Sequence, residues 1–184
     1  MLTVNKEKWS YSDYLLLDDD HRYEIIGGHL EMTPAPSVNH QVISKRLFIR
    51  LNSFVEDNAL GTMLYAPVDV VLSDEDVFEP DILFISRHNS HIIEDNAVFG
   101  PPDLVIEILS LSTQYRDLHE KRMMYQRYKV REYWIVDPFN RHVEILILND
   151  KGSYITHANS EQYISSNELK GLEVDLDDIF KGWL

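Results

Sequence analysis

The sequence predicts a single domain of mixed α/β class, and three observations carry that prediction. Ile82-Leu83-Phe84-Ile85 and Leu104-Val105-Ile106 place branched and aromatic apolar residues at successive positions, the pattern of strands covered on both faces. Elsewhere the apolar residues recur at helical spacing, as in Val38, Val42, Ile43, Leu47, Leu51, Phe54 and Val55. The 184 residues suffice for one domain with a real core and are short for two, and no repeat or low-complexity linker divides residues 1–184.

In chain order, Ser10 or Ser12 is placed to cap a short helix through Tyr14-Leu15-Leu16-Leu17, with Asp13 in its first turn and Asp18-Asp19-Asp20 ending it. Residues 23–26 and 30–33 flank Gly27-Gly28, a tight hairpin turn. Pro34 and Pro36 break the second strand, Ser37 is an N-cap, and the long helix that follows ends at Gly61. Strands are expected over 63–72 and 80–85, then a polar loop over 86–100 closed by Pro101-Pro102. After a strand over 103–109, Ser112 or Thr113 caps a second long helix reaching about Val130. Three more strands read out over 132–136, 142–148 and 154–156, separated by Asp137-Pro138 and Asp150-Lys151-Gly152. The tail over 173–184 alternates Val174, Leu176, Ile179 and Phe180 with acids and is expected to pack at an edge.

Composition narrows the chemistry. With no cysteine, disulfides, thiolate metal sites and cysteine nucleophiles are all excluded. Residues 1–11 hold no apolar core of signal-peptide length and no stretch approaches a membrane span, so a cytoplasmic protein is expected. Seventeen Lys and Arg stand against 31 Asp and Glu, a net charge of −14. That balance argues against a nucleic-acid partner, since phosphate neutralisation supplies most of such affinity. One segment, 114–131, runs the other way, at +4.

Glu107 is the most informative residue, a carboxylate inside an otherwise apolar strand. Burial strips its hydration unless a cation or strong donors replace the water. Asp103 shares its strand face, but at about 3.3 Å per residue it lies too far along for one small ion. Asp81, 26 residues earlier at the start of another strand, is the better partner for a Mg²⁺ or Mn²⁺ ion held by one or two carboxylates and water. An interior pair with Arg116, Lys121 or a tyrosine hydroxyl would account for Glu107 equally, and Pro80-Asp81 is also a common strand start. Lys121 follows Glu107 by 14 residues and is spaced i, i+4 from Asp117, which suits either a catalytic amine or a solvated salt bridge. His88 and His91 resemble a metal pair only superficially, and Ser110, Ser112 and Thr113 read as capping groups. No phosphate-cradling glycine loop, zinc-protease helix or nucleophile elbow is present.

These residues belong to a longer ordered set. Glu107-Ile108-Leu109-Ser110-Leu111-Ser112-Thr113, then Asp117, Glu120-Lys121-Arg122, Tyr125 and Glu132-Tyr133-Trp134-Ile135-Val136-Asp137-Pro138 resemble the signature of the Uma-type family. Tyr23 to Leu30, Pro36-Ser37 with His40, and Pro80-Asp81 are similar to its earlier motifs in the same order. That bacterial group, catalogued as a domain of unknown function, is described as putative restriction endonucleases of the PD-(D/E)XK superfamily. The resemblance implies a restriction-endonuclease-like core, a mixed β-sheet flanked by helices, and Mg²⁺-dependent hydrolysis of DNA phosphodiesters. It implies Asp81 and Glu107 as metal ligands, with Glu24 and His40 as further members of the site. The superfamily's lysine usually stands two residues after the acid, where this chain has Leu109, so the role moves to Lys121. Leu111 replaces the family's usual proline between the serines, a change in the loop rather than the chemistry.

On this reading Lys121 steadies the transition-state charge or helps position the nucleophile, while Arg116, Arg122 and Arg127 contact phosphates. Lys121→Ala is expected to abolish cleavage and leave the fold unchanged. Affinity for naked duplex DNA should be weak and steeply salt-dependent. A homodimer is expected from the resemblance and from Tyr133, Trp134 and Phe139. Two rival readings stand beside it: a non-catalytic acidic protein-binding module that keeps the fold, and a metal-dependent hydrolase of a small phosphoester.

Overall fold

The computed structural model describes residues 6–19, 21–160 and 162–182. Parts of three expectations therefore lie outside the described residues: the first five of the N-terminal stretch, Asp20 of the acidic helix end, and the last two of the tail.

Ser10 caps α1 (Tyr11–Tyr14) in a reciprocal capping box with Asp13, and the helix stops short of the leucines that follow. Strands β1 (Arg22–Ile26) and β2 (His29–Thr33) form the expected hairpin. Gly27 and Gly28 turn it with φ of 59° and 83°, a pairing of positive angles that glycine adopts without strain. Ser37 accepts a bond from the His40 amide and starts α2 (Val38–Asp57).

The run expected as one strand over 63–72 is two, β3 (Gly61–Tyr65) and β4 (Val70–Ser73), in different sheets. Pro67 stands inside it without an N–H to give a ladder, so the chain leaves one sheet there and enters the other. Then follow β5 (Asp76–Phe78), β6 (Ile82–Ser86), a 3₁₀ turn (Arg87–Ile92), β7 (Val98–Phe99) and β8 (Leu104–Ile108). The predicted loop over 86–100 thus contains a helical turn and a short strand. The second long helix is a π-helical segment (Arg116–Lys121) continuing into α3 (Arg122–Arg127). Strands β9 (Glu132–Asp137), β10 (His142–Leu148), β11 (Tyr154–Ser160), β12 (Tyr163–Ser165) and β13 (Glu173–Asp175) precede α4 (Leu176–Phe180). In the tail, alternation gives way to a helix whose Leu176, Ile179 and Phe180 join the α2 side of the core.

A six-stranded sheet ordered β11-β10-β9-β8-β6-β3 forms the centre, beside a five-stranded sheet ordered β2-β1-β5-β4-β7. Strand β8 explains the layering. Leu104, Ile106 and Ile108 face Ile43, Leu47, Leu51 and Val55 of α2, whereas Val105 faces Phe78, Tyr125 and Tyr133 on the other side. Period-two alternation puts Glu107 on that second face, under the π segment and α3. Strands β8 and β9 run parallel and are joined by those helices, while β6 pairs antiparallel with β8. Tyr133 and Trp134, offered above as interface aromatics, are fully buried in this core and lend no support to a dimer.

Candidate active site

The register Ile82↔Ile106 sets Asp81, one residue before β6, across from Glu107. Asp81 Oδ2 accepts the Ile108 amide at 2.8 Å and pairs with His40 Nε2 at 3.1 Å. Ser37 therefore positions a site residue, because the cap starts the helical turn that carries His40. Glu107 Oε1 accepts bonds from Lys121 Nζ at 3.0 Å and the Tyr125 hydroxyl at 2.7 Å. Lys121 Nζ also lies 2.7 Å from Glu24 Oε1 and 3.5 Å from Asp117 Oδ1. Glu24 Oε1 in turn accepts the Glu79 amide at 2.9 Å. Strands β1, β6 and β8 and the π segment thus deliver one acidic cluster to the floor of a cleft of about 480 Å³. The Tyr133 hydroxyl donates to the Asp117 carbonyl at 2.9 Å and Thr113 donates to its carboxylate, which ties the π segment down. Helical turns of this widened kind recur at functional sites.

The cluster holds more acid than base. Glu24, Glu107 and Asp117 are all buried, with Lys121 the one ammonium among them. Burial pushes the Glu107 carboxyl well above the ordinary glutamate range, and Lys121 offsets this only in part. Asp117 is raised by the same cause, against the pull of Lys121 and Thr113. Burial alone would lower the Lys121 ammonium, but Glu107, Glu24 and Asp117 around it hold its pKa well above the usual lysine value. Glu79, in the wall, is lifted to about 7 by burial, with Arg22 opposing.

Comparison with known proteins decides the family. A family model described as "Putative restriction endonuclease", Uma2, matches residues 11–177. The chain belongs to the Uma2 family. A crystal structure of a "putative nuclease belonging to DUF820" from Anabaena variabilis ATCC 29413 superposes with a TM-score of 0.76 at 18% identity, over 93% of this chain and 97% of that one. At that identity the likeness establishes a shared mixed α/β fold. The type IIG restriction endonuclease BpuSI aligns over 81% of this chain and 17% of its own, with a TM-score of 0.40 and 11% identity, too low to bear on the argument. No curated protein matches the chain.

Within this Uma2 chain, Asp81, Glu107, Lys121, Glu24 and His40 all line the one cleft. Arg116 joins them in its wall, whereas Arg122 and Arg127 do not line it. The Asp117–Lys121 pair is interior rather than solvated. Lys121→Ala accordingly cannot leave the fold untouched, because it would strand buried carboxylates. Asp103, in the bend just before β8, is buried, accepts the Ser86 amide at 2.6 Å and pairs with Arg131, which takes that arginine out of the basic segment's free charge. The tyrosine hydroxyl expected on Glu107 is that of Tyr125, a residue of the ordered motif four positions after Lys121. Sequence reasoning missed Arg22, Thr33 and Glu79 as cleft residues, and nothing in the sequence pointed to them.

The donor set suits a hard cation. Every candidate ligand is a carboxylate oxygen, and Asp117 Oδ1 is buried without a hydrogen bond. Among the described residues no three His, Asp or Glu side chains form a ready-made metal cage. Two carboxylates with water completing the shell match the way Mg²⁺ is held.

Proposed function

We propose that this protein is a metal-dependent nuclease that hydrolyses phosphodiester bonds of nucleic acid, DNA foremost, in the cytoplasm. One observation carries the reading: carboxylates outnumber the single ammonium at the buried floor of a cleft large enough for a nucleotide. Asp81 and Glu107 would hold Mg²⁺ or Mn²⁺, which when bound polarises the phosphate and acidifies water. Lys121 stays protonated at neutral pH, so it serves as a fixed positive charge for the transition state and not as a base. His40 holds Asp81 in place through Nε2. In the reaction the water oxygen bonds to phosphorus, one P–O ester bond breaks, and the departing oxygen takes up a proton.

The test is a cleavage assay on single- and double-stranded DNA with and without Mg²⁺ or Mn²⁺. Wild type should cut only with metal, and Glu107→Gln should lose at least about 100-fold in rate. Equal cutting by the variant, or no cutting with either metal, defeats the proposal. The net charge of −14 favours a second reading, an acidic protein-binding module. Such a module need not bind metal at all, whereas the nuclease must. Among the described residues no helix is long and apolar enough to cross a membrane.

A further inference from the structure

The cleft has two unlike levels. Its floor is the charged cluster, whereas its outer lining carries the apolar Pro34, Ala35, Pro36, Leu111, Pro138 and Phe139, interrupted by the exposed Ser37, Gln41 and Ser112. Leu111 is 76% exposed and Phe139 58% exposed. Phe139 is rigidly presented, because Asp137 accepts its amide at 2.8 Å and that of Asn140 at 3.1 Å in a tight turn after β9. Between the levels stand two arginines with incomplete partners. Arg22 NH1 lies 3.6 Å from Glu79 Oε2 and Arg116 NH1 3.8 Å from Glu31 Oε2, distances of loose ion pairing.

Unmet hydrogen-bonding capacity concentrates in the same place. Among the described residues six buried side-chain polar atoms make no hydrogen bond, and those of Thr33, His40, Glu79, Arg116 and Asp117 line this cleft, the last three held only in ion pairs of 3.6, 3.8 and 3.5 Å; Ser86 Oγ alone lies elsewhere. Buried polar atoms left unmet are costly, and their clustering points to a ligand that carries both donors and acceptors. A nucleobase and its phosphates do so.

The form of that ligand follows from what the rim lacks. A duplex offers its phosphates as outward rows that need several exposed cations, and here Arg122 and Arg127 lie off the cleft. An unpaired nucleotide instead offers one phosphate to depth and a flat apolar base to a rim. Resting on the nuclease reading, we propose that the cleft selects an unpaired nucleotide, its phosphate between Arg116 and Lys121 and its base against Phe139 and Leu111. Single strands, and duplexes carrying a locally unpaired segment, supply that chemistry.

The experiment is fluorescence anisotropy in Ca²⁺ with three labelled DNAs: a single strand, its matched duplex, and the duplex with a central bubble. The single strand should bind at least about 10-fold tighter than the matched duplex, because stacking of exposed bases is open only to it. The bubble arm falls with the single strand if internal unpaired sites suffice, and with the duplex if a free strand is required. Phe139→Ala should weaken single-strand binding about 10-fold and leave duplex binding unchanged, while Arg87→Ala, off the cleft, changes neither. Both aromatic truncation and control are at exposed positions, so folding is not at issue. Equal or tighter binding of the matched duplex, an unaltered Phe139→Ala variant, or no binding of any DNA would each overturn the inference. Wild type that binds the single strand but cuts nothing in Mg²⁺ or Mn²⁺ defeats the nuclease reading alone; wild type that cuts matched duplex in preference defeats this inference alone.

Discussion

At the scale of single residues, Glu107 and Glu132 show two ways to bury a carboxylate. Glu132 is occupied by the Trp134 indole, the Ser166 hydroxyl and the amides of Asn167 and Glu168, so it is a structural anchor. Glu107 instead shares one ammonium with two other acids, an arrangement that leaves room for a further cation. Lys121→Met should therefore cost about 3–5 kcal/mol at pH 8, read as a lowered urea midpoint, because it leaves those acids buried without a counter-charge. Adding Glu107→Gln to it should recover part of that loss, and strict additivity would refute the coupling. Glu79 predicts a pH effect. Its carboxyl rises from 4.5 unfolded to about 7 folded, so the folded state binds the extra proton between those values. Stability from this group is full below 4.5 and is lost as pH rises through about 7. In EDTA, Glu79→Gln should flatten the fall in melting temperature across that window, worth about 2 kcal/mol; an unchanged slope would contradict it. Glu107 was legible in the sequence because a charge interrupts an apolar run. Glu79 and Arg22 were not, since nothing local distinguishes them from surface residues.

At the scale of elements, the hairpin, α2, β8 and β9 to β11 could be read because each carries its own period and its own turn or cap residues. What the sequence concealed depended on distant partners. Pro67 marks where β3 and β4 part, but which sheet each joins is settled only by β5 and β6. Apolar spacing does not separate a π segment from an α-helix, so the widened turn carrying Asp117 and Lys121 was read as ordinary helix. The alternation of the tail holds only over β13, and from Leu176 the chain is α4, whose apolar residues pack with those of α2. Ser37 links element to site. Ser37→Ala should cost about 1 kcal/mol through the lost cap and, by loosening the turn that carries His40, also lower cleavage. Full activity at reduced stability would show that His40 needs no such support.

At the scale of the whole molecule, the acidic surface and the cleft pull against each other. A chain at −14 repels nucleic acid at long range, so binding must come from contacts inside the cleft. With one phosphate held between Arg116 and Lys121, the logarithm of single-strand affinity should fall with that of salt at a slope of about −0.7. A slope several times steeper would mean that a surface outside the cleft does the binding. The family and the fold class were both readable from the ordered motifs, whereas the shape of the cleft was not, because it is assembled from segments far apart in sequence. The central claim is that the acid excess at the cleft floor exists to take up a divalent ion, and calorimetric titration of Mn²⁺ or Mg²⁺ tests it most directly. One saturable site in wild type that disappears in both Asp81→Asn and Glu107→Gln is the predicted result; no binding heat in wild type, or the same site in both variants, would contradict it.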